Sequence, residues 1–323
     1  MAQLAEFDLI HHYFSRPTAN VTLGVGDDAA LLSPSPGTTL AATNDTLVAG
    51  VHFFPATEPF ALGWKTLAVN LSDLAAMGAM PRWTLLSLTL PEIDEAWLAA
   101  FAAGFYACAE KFSVSLVGGD TTRGPLAFSV TALGEIPAGY GLCRHTAKTG
   151  DDVWVSGYPG FAALALQEIE GKITLPDSLR ALCQKRLHMP EPRVDLGLAL
   201  IHLAHAAIDI SDGLLNDLAH IARRSALEVK VFRHCLPRLP DGVAREMALT
   251  ALLAGGDDYE LLFTAPPEHR TELAKLAAKL DLPLRRIGEM ALPEPDRKPA
   301  VRLVDADGKE ITWVQGGYEH FIS

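Results

Sequence analysis

The sequence predicts a protein of the α/β or α+β class, organised in two domains. Segments with the period of a helix alternate with short β-rich runs along the whole chain. Its 323 residues, 49% of them hydrophobic and 20% charged, suffice for roughly two domains with sizeable cores. A stretch rich in Gly, basic residues and turn formers marks the boundary. We therefore expect an N-terminal domain over 1–138, a linker over 139–150 and a C-terminal domain over 151–323.

The individual elements follow from periodicity and from the positions of Gly and Pro. In the N-terminal half we expect an extended segment at 21–32, strands at 39–43, 48–53, 83–90, 114–117 and 126–135, and helices at 6–14, from 59 to a stop at Gly78 and Pro81, and at 94–112. In the C-terminal half we expect strands at 152–156, 228–232, 284–290 and 300–304 and one ending at Phe263, with helices from 161 and at 179–188, 194–205, 214–225, 246–253 and 268–280. This pattern does not specify the order of the strands.

Composition and charge exclude several classes of function. The formal net charge of -12 disfavours non-specific binding to nucleic acid or to an anionic membrane. A protein this acidic binds phosphate groups through metal ions or a local basic patch, and the densest basic group is Arg144, His145 and Lys148. The four cysteines lie far apart without a C-x-x-C pair, which is typical of a reducing cytoplasm. We expect neither a signal peptide nor a membrane span.

The predicted helix that starts at 59 carries a polar stripe beside its apolar face. Thr66, Asn70 and Asp73 stand at i, i+4 and i+7, so they share one side of the helix. Because the helix is very apolar, Asp73 needs a partner such as a cation, a group of donors or a metal. The alternative is a carboxylate that caps a local turn or bonds to nearby backbone. We expect the stripe to face the active site.

Acidic residues recur in one setting, an apolar run followed by small residues and then aspartate. The instances are Asp27 with Asp28, Asp45, Asp120, Asp209 with Asp212, and Asp257 with Asp258. Each could be a turn or cap residue, as for Asp212 before a helix or Asp45 in an Asx-turn. As a set they indicate Mg²⁺, which prefers oxygen ligands and bridges carboxylates to substrate phosphates. No P-loop, protein-kinase motif set, complete dinucleotide fingerprint or nucleophile elbow is present.

In their order, these motifs resemble the thiamine-monophosphate kinase family, within a superfamily that includes aminoimidazole ribonucleotide synthetase. The resemblance rests on residues 6–10, Gly24-Val-Gly-Asp-Asp28, Thr43-Asn-Asp-Thr-Leu-Val48, residues 67–79, Gly118-Gly-Asp-Thr-Thr-Arg-Gly124, Ile208-Asp-Ile-Ser-Asp-Gly-Leu214, Gly256-Asp-Asp-Tyr-Glu-Leu261 and Gly317-Tyr-Glu-His-Phe321. It implies an N-terminal mixed sheet with helices that pairs across a homodimer, and a C-terminal α/β domain that completes the active site. It also implies ATP-dependent phosphorylation of thiamine monophosphate to thiamine diphosphate by direct in-line transfer.

The resemblance also implies roles for residues at matching positions. Several Mg²⁺ ions would be held by Asp28, Thr43, Asn44, Asp45, Asp73, Asp120, Asp209 and Asp212. ATP would be contacted by Gly119, Asp120, Arg144 and Ser211, and thiamine monophosphate by His52, Glu260 and Tyr318. No side chain would act as a nucleophile. Asn44 stands where the family often has threonine, and Asp257 where glutamate is common.

Each non-acidic residue in this set has a plainer interpretation, and the function has rivals. His52 and Arg144 could be solvated side chains, and Tyr318 a packing residue near the C-terminus. One rival function is a related ATP-dependent enzyme of the superfamily with another acceptor. The other is a non-catalytic nucleotide or Mg²⁺ binder that senses thiamine status.

Overall fold

The structure is a computed structural model that describes residues 6–16, 18, 21–313 and 316–318. By its internal contacts the chain divides into unit 1, residues 1–74 and 79–140, and unit 2, residues 75–78 and 141–323. The break after Tyr140 lies within the segment predicted as a linker, whereas the grouping of residues 75–78 with unit 2 was not anticipated. In the described part of the chain, no helix is both long and apolar enough to cross a membrane.

Unit 1 is built on a four-stranded mixed sheet. Its elements are α1 (Glu6–Phe14), β1 (Val21–Leu23), β2 (Leu31–Leu32), β3 (Thr38–Val48), α2 (Pro59–Ala76), β4 (Met80–Leu90), α3 (Glu95–Lys111), β5 (Ser115–Arg123) and β6 (Ala127–Pro137). The strand order is β3-β6-β4-β5, with β4 and β5 parallel and the other pairs antiparallel. β1 and β2 form a separate antiparallel pair. This arrangement confirms the predicted mixed class.

The core of unit 1 contains an aromatic cluster that joins α3 to the sheet. Phe101 of α3 packs against Phe128 of β6 with ring centroids 4.8 Å apart, and Trp97 and Phe53 stack around the same ring. Asp94 is the N-cap of α3, and its carboxylate accepts hydrogen bonds from the amides of Ala96 and Trp97. The cap and the cluster fix α3 against one face of the sheet.

Two strands of unit 1 differ from the prediction in a way that matters for function. β3 is one continuous strand of 11 residues, so Thr43, Asn44 and Asp45 lie inside it and not at its end. β5 likewise continues through Gly118, Gly119 and Asp120, beyond the predicted end of the strand at residue 117. Pairing of β3 with β6 and of β5 with β4 extends each strand. The glycine and turn residues in the local sequence do not reveal this pairing. Residues 49–53 form a turn with an isolated bridge between Ala49 and Phe53, whereas a strand was predicted over 48–53.

Unit 2 has a six-stranded sheet with helices. Its elements are β7 (Asp152–Ser156), α4 (Phe161–Ile169), α5 (Asp177–His188), α6 (Val194–Leu200), β8 (Ala206–Asp209), α7 (Leu214–Ser225), β9 (Glu228–Phe232), α8 (Arg245–Ala254), β10 (Leu261–Ala265), α9 (Arg270–Leu280), β11 (Leu284–Ala291) and β12 (Val301–Val304). The order is β12-β9-β11-β7-β10-β8, and only β12 and β9 run parallel among the pairs in this sheet. Buried aliphatic residues from the sheet, α7 and α8 form its main core.

Candidate active site

In unit 1, β3 presents its side chains alternately to α2 and to the opposite face of the sheet. Thr43 and Asp45 are partly buried, whereas Asn44 and Thr46 between and beyond them are exposed. The hydroxyl of Thr43 donates a hydrogen bond of 2.5 Å to Oδ2 of Asp73 on α2. One hydroxyl and one carboxylate therefore lie in contact between β3 and α2.

The polar stripe of α2 has a different role at each of its three positions. Asn70 is fully buried, and its Oδ1 accepts a hydrogen bond of 3.0 Å from the amide of Asp45. Asp73 is partly buried and meets Thr43, as the stripe prediction requires. Thr66 is buried and donates its hydroxyl back to the carbonyl of Leu62 in its own helix, 2.8 Å away. Asn70 and Asp73 thus organise the candidate site, and Thr66 does not.

The side chain of Asn44 points away from Thr43 and Asp73 in this structure, and its role as a Mg²⁺ ligand stays a prediction. Its Nδ2 donates to Ser129 Oγ, to the carbonyl of Val130 and to Thr131 Oγ1 on β6, at 3.2, 3.0 and 2.9 Å. The physical reason is the two-residue period of a strand, because one residue between two inward-facing neighbours must face outward. In the present structure the amide of Asn44 serves the ladder between β3 and β6.

The remaining unit 1 candidates lie at more exposed positions. Asp28 is exposed in the loop after β1, and its amide bonds to Oδ1 of Asp27 at 2.9 Å. Asp120 is exposed on β5, next to Gly119. A side chain at Gly119 would place its Cβ only 1.8 Å from the carbonyl oxygen of Leu86 on β4, so this position requires glycine. The approach of the two strands thereby sets the position of Asp120.

His52 is partly buried in the turn after β3, and its ring is oriented by the backbone. The amide of Val48 donates to Nδ1 at 3.0 Å, so a neutral ring carries its proton on Nε2. The amide of Val48 thereby fixes the orientation of the ring and its neutral tautomer.

The donor set of unit 1 fits a hard cation in its chemistry. Asp45, Asp73 and Thr43 supply only oxygen atoms, which Mg²⁺ prefers. Within the described ranges, no three His, Cys, Asp or Glu side chains lie close enough together to hold a metal by themselves.

In unit 2, the other candidate acids lie at the end of β8 and in the loop of residues 211–213, which precedes α7. Asp209 is buried at the end of β8, while Ser211 and Asp212 are partly exposed. The amides of Ser211, Asp212 and Gly213 all donate to Oδ2 of Asp217 on α7, at 3.1, 3.0 and 3.1 Å. Burial, together with the nearby charge of Asp212, raises the pKa of Asp217 to about 7 although these amides favour its anion. One buried carboxylate thus fixes the loop.

Glu260, which is predicted to contact the substrate, lies buried inside unit 2 and pairs with Arg193. Its side chain is 2% exposed and accepts hydrogen bonds from Arg193 at 2.6 and 2.5 Å and from Ser156 Oγ at 2.6 Å. Burial alone would raise the pKa of Glu260, but the charge and hydrogen bonds of Arg193 outweigh burial, so the pKa lies below its usual value. Through these bonds Glu260 holds the side chains of Arg193 and Ser156 in place.

The residues before Glu260 adopt an unusual backbone conformation. Asp257 and Tyr259 both have positive φ, at 66° and 52°, and the Tyr259 hydroxyl donates to Oδ1 of Asp257 at 2.9 Å. Between them, Asp258 is buried and accepts the amide of Gly160 at 2.6 Å, at the start of α4, which has no side-chain cap of its own. Burial raises the pKa of Asp258 well above its ordinary value. Asp258 therefore caps the start of α4, whereas Asp257 forms its hydrogen bond with Tyr259, two residues further along the chain.

The basic residues and Tyr318 occupy the surface of unit 2. Arg144 is exposed, and its carbonyl accepts a hydrogen bond of 3.0 Å from Ser225 Oγ at the end of α7. Lys148 Nζ lies 3.0 Å from Nε2 of His205, whose Nδ1 meets Asp151 at 2.9 Å. Tyr318 is 47% exposed. Residues 319–321 of its motif lie outside the described residues.

Comparisons with known proteins agree with the motifs. A family model described as AIR synthase related protein, N-terminal domain, matches residues 26–136. A thiamine-monophosphate kinase of Salmonella typhimurium is 44% identical over 327 residues, covering 98% of this chain and 98% of that relative. The chain belongs to the thiamine-monophosphate kinase family.

Solved structures of this family also share the fold. The thiamine-monophosphate kinase of Stenotrophomonas maltophilia superposes with a TM-score of 0.83 at 49% identity, covering 90% of this chain and 92% of that chain. The AaThiL structure complexed with AMPPCP and TMP superposes with a TM-score of 0.77 at 29% identity, covering 99% of both chains. The predicted family and fold class are therefore confirmed.

Three residues that hold parts of the candidate site in place had no such role in the prediction. Asn70 was expected to face the active site as part of the stripe, without a stated partner, and Asp217 and Arg193 were not singled out. An acid in the first turn of α7, able to reach back to the preceding loop, was the available signal for Asp217. Arg193 follows two prolines and pairs with a residue 67 positions away, so no local pattern indicates it.

Proposed function

We propose that this protein catalyses the ATP-dependent phosphorylation of thiamine monophosphate to thiamine diphosphate. The observation that carries the proposal is the match to thiamine-monophosphate kinases across 98% of this chain and of the relatives. The likeness to a relative solved with AMPPCP and TMP supports ATP as the co-substrate. The candidate side chains of both units are rich in carboxylates, as phosphate chemistry assisted by divalent cations requires.

The chemistry of this reaction explains why no side-chain base is needed. The acceptor is a phosphate monoester whose second pKa is near ~6, so it is largely a dianion at neutral pH. The difficulty is to bring two anions together, and catalysis then depends on positioning and on neutralising charge. When bound, Mg²⁺ supplies that neutralisation. The carboxylates proposed for this site add further negative charge, so cations are needed there.

We assign the Mg²⁺ ligands from the oxygen donors that the two units offer. In unit 1 these are Asp28, Thr43, Asp45, Asp73 and Asp120, and in unit 2 they are Asp209 and Asp212. Support comes from the hydrogen bond between Thr43 and Asp73 and from Asn70, which holds the backbone at Asp45. Asn44 is left out because its side chain faces β6.

We assign the direct substrate contacts to residues whose side chain or backbone is at least partly exposed. Gly119, Asp120, Arg144 and Ser211 contact ATP, and Arg144 is exposed and able to meet a phosphate. His52 donates from Nε2 to the thiamine phosphate, and the exposed ring of Tyr318 contacts the same substrate. Glu260 acts from inside the fold by holding Arg193 and Ser156.

A homodimer and a cytoplasmic location complete the proposal. The homodimer is proposed from the family resemblance, because a single exposed apolar side chain such as Leu40, at 44%, does not indicate an interface by itself. All four cysteines are unpaired, as expected in a reducing compartment.

An acceptor panel tests this function. Purified protein is incubated with ATP and Mg²⁺, and release of ADP is followed with thiamine monophosphate, with thiamine, with other phosphate monoesters and without acceptor. The proposal requires release that depends on thiamine monophosphate. Turnover with another acceptor alone would favour a related superfamily enzyme, and nucleotide binding without any turnover would favour a sensor.

A further inference from the structure

The 211–213 loop uses its own backbone hydrogen-bonding groups almost completely. Its three amides, from Ser211, Asp212 and Gly213, point to the buried carboxylate of Asp217. The carbonyl of Ser211 accepts from the amide of Asp257 at 2.9 Å, and the carbonyl of Asp212 accepts from the amide of Tyr318 at 3.0 Å. Little of this backbone is left for a ligand.

This arrangement reverses what a helix N-terminus after a strand usually does. Successive free amides at such a position attract phosphate, and the helix dipole adds to the attraction. Here Asp217 lies four residues after Gly213, in the first turn of α7. Its carboxylate points back to the loop and accepts the hydrogen bonds of these amides. A phosphate group at the same amides would have to displace a carboxylate that is 2% exposed. The loop can present only side chains, and two neighbouring ones are carboxylates.

We propose that Asp217 is a positioning residue that converts this helix N-terminus from an anion-binding to a cation-binding site. By holding the three amides, Asp217 fixes the direction in which Asp212 leaves the loop and keeps phosphate from binding the backbone directly. Ser211 then meets ATP through its hydroxyl and not through its amide. This inference rests on the proposed function in assigning Asp209 and Asp212 to Mg²⁺.

The first test measures metal binding by the full-length protein without turnover. Mn²⁺ is titrated and free Mn²⁺ is read by electron paramagnetic resonance, with Asp212→Asn identifying the site that belongs to the loop. Asp217→Ala is expected to weaken that site by about tenfold or more, because residues that orient metal ligands contribute on that scale. Asp217→Asn keeps an oxygen acceptor for the amides and should retain more of the affinity than Asp217→Ala.

A matched control separates positioning from the loss of any buried acid. Glu228 is also 2% exposed in unit 2, but it pairs with Arg302 on the neighbouring strand. Glu228→Ala should therefore leave the affinity for Mn²⁺ within about twofold of wild type. Circular dichroism checks that each variant is folded. Equal Mn²⁺ affinity in Asp217→Ala and wild type would overturn the proposal. If Asp212→Asn removes no site, the ligand assignment of the proposed function fails instead.

The second test needs no variant and so does not depend on whether Asp217→Ala folds. Residue-resolved hydrogen exchange is measured on the wild-type protein with and without AMPPCP and Mg²⁺. The amides of residues 211–213 should exchange slowly without ligand and change little when the nucleotide is added. Fast exchange in the free protein, with protection only after nucleotide binds, would mean that these amides bind phosphate and would refute the role of Asp217. Because exchange needs no acceptor, this result stands even if thiamine monophosphate is not the substrate.

Discussion

Removing the charge of Arg193 should destabilise unit 2 strongly, because it leaves the Glu260 carboxylate buried without its main partner. Arg193 is 10% exposed and binds both carboxylate oxygens of Glu260. Breaking a buried ion pair by removing one partner typically costs about 3–5 kcal/mol. Ser156 still donates at 2.6 Å, and Arg186 remains 3.7 Å away as a second cation. We therefore expect the lower end of that range, about 3 kcal/mol, for Arg193→Met.

The assay must report on unit 2 alone, since a chain with two units need not unfold in one step. Hydrogen exchange of the amides in β10, the strand that follows Glu260, gives the free energy of opening this sheet. The double variant Arg193→Met with Glu260→Gln should be less destabilised than the sum of the two single variants, by about 2 kcal/mol. Simple additivity would show that the two side chains do not interact.

Acidification provides an independent check with a defined sign. The folded pKa of Glu260 is below its usual value, so the pair stabilises the protein fully above the unfolded pKa, about 4.3, and less as pH falls through the folded pKa. In Arg193→Met the buried carboxyl lacks its main cation, its pKa rises, and protonation relieves the penalty. The stability gap between wild type and variant should narrow as the pH falls. A gap below about 1 kcal/mol at neutral pH, or one that does not change with pH, would refute this reasoning.

Three further substitutions test individual positions. Gly157→Ala should destabilise unit 2 by about 2 kcal/mol or more, because φ of Gly157 is +59° and a Cβ there would lie 1.9 Å from Oε1 of Glu260. A thermal melt measures this, and an unchanged melting temperature would contradict it. Thr43→Val should lower kcat/KM by about tenfold through the loss of its bond to Asp73, whereas Thr46→Val on the opposite face should change it less than twofold. Asn44→Ala should keep kcat and its Mg²⁺ dependence near wild type, and a clear rise in the Mg²⁺ requirement would restore Asn44 as a ligand.

The sequence was sufficient for the elements whose signals are local. α3 was predicted from its apolar period and its acidic first turn, and the structure has it at Glu95–Lys111. The position of Asp73 relative to Asn70 followed from helix geometry alone. The sheet orders could not be predicted, because pairing such as β4 with β5 depends on contacts between strands and not on local sequence.

The candidate site shows the same division between local and long-range information. The orientation of Asn44 could not be predicted, because the true length of β3 is visible only through its ladder to β6. The burial of Glu260 could not be predicted either, because its partner Arg193 is 67 residues away. Aspartates with the same local setting also diverged, since Asp258 caps α4 while Asp212 remains partly exposed.

The transfer of label from ATP tests the proposed function most directly. The protein is incubated with Mg²⁺, thiamine monophosphate and ATP labelled at the γ-phosphate, beside Asp73→Asn as the variant that lacks a proposed metal ligand. We predict that wild type moves the label into thiamine diphosphate in proportion to ADP formed, and that Asp73→Asn remains folded but transfers at least about a hundredfold more slowly. Label recovered as inorganic phosphate, or near-normal transfer by Asp73→Asn, would contradict the account.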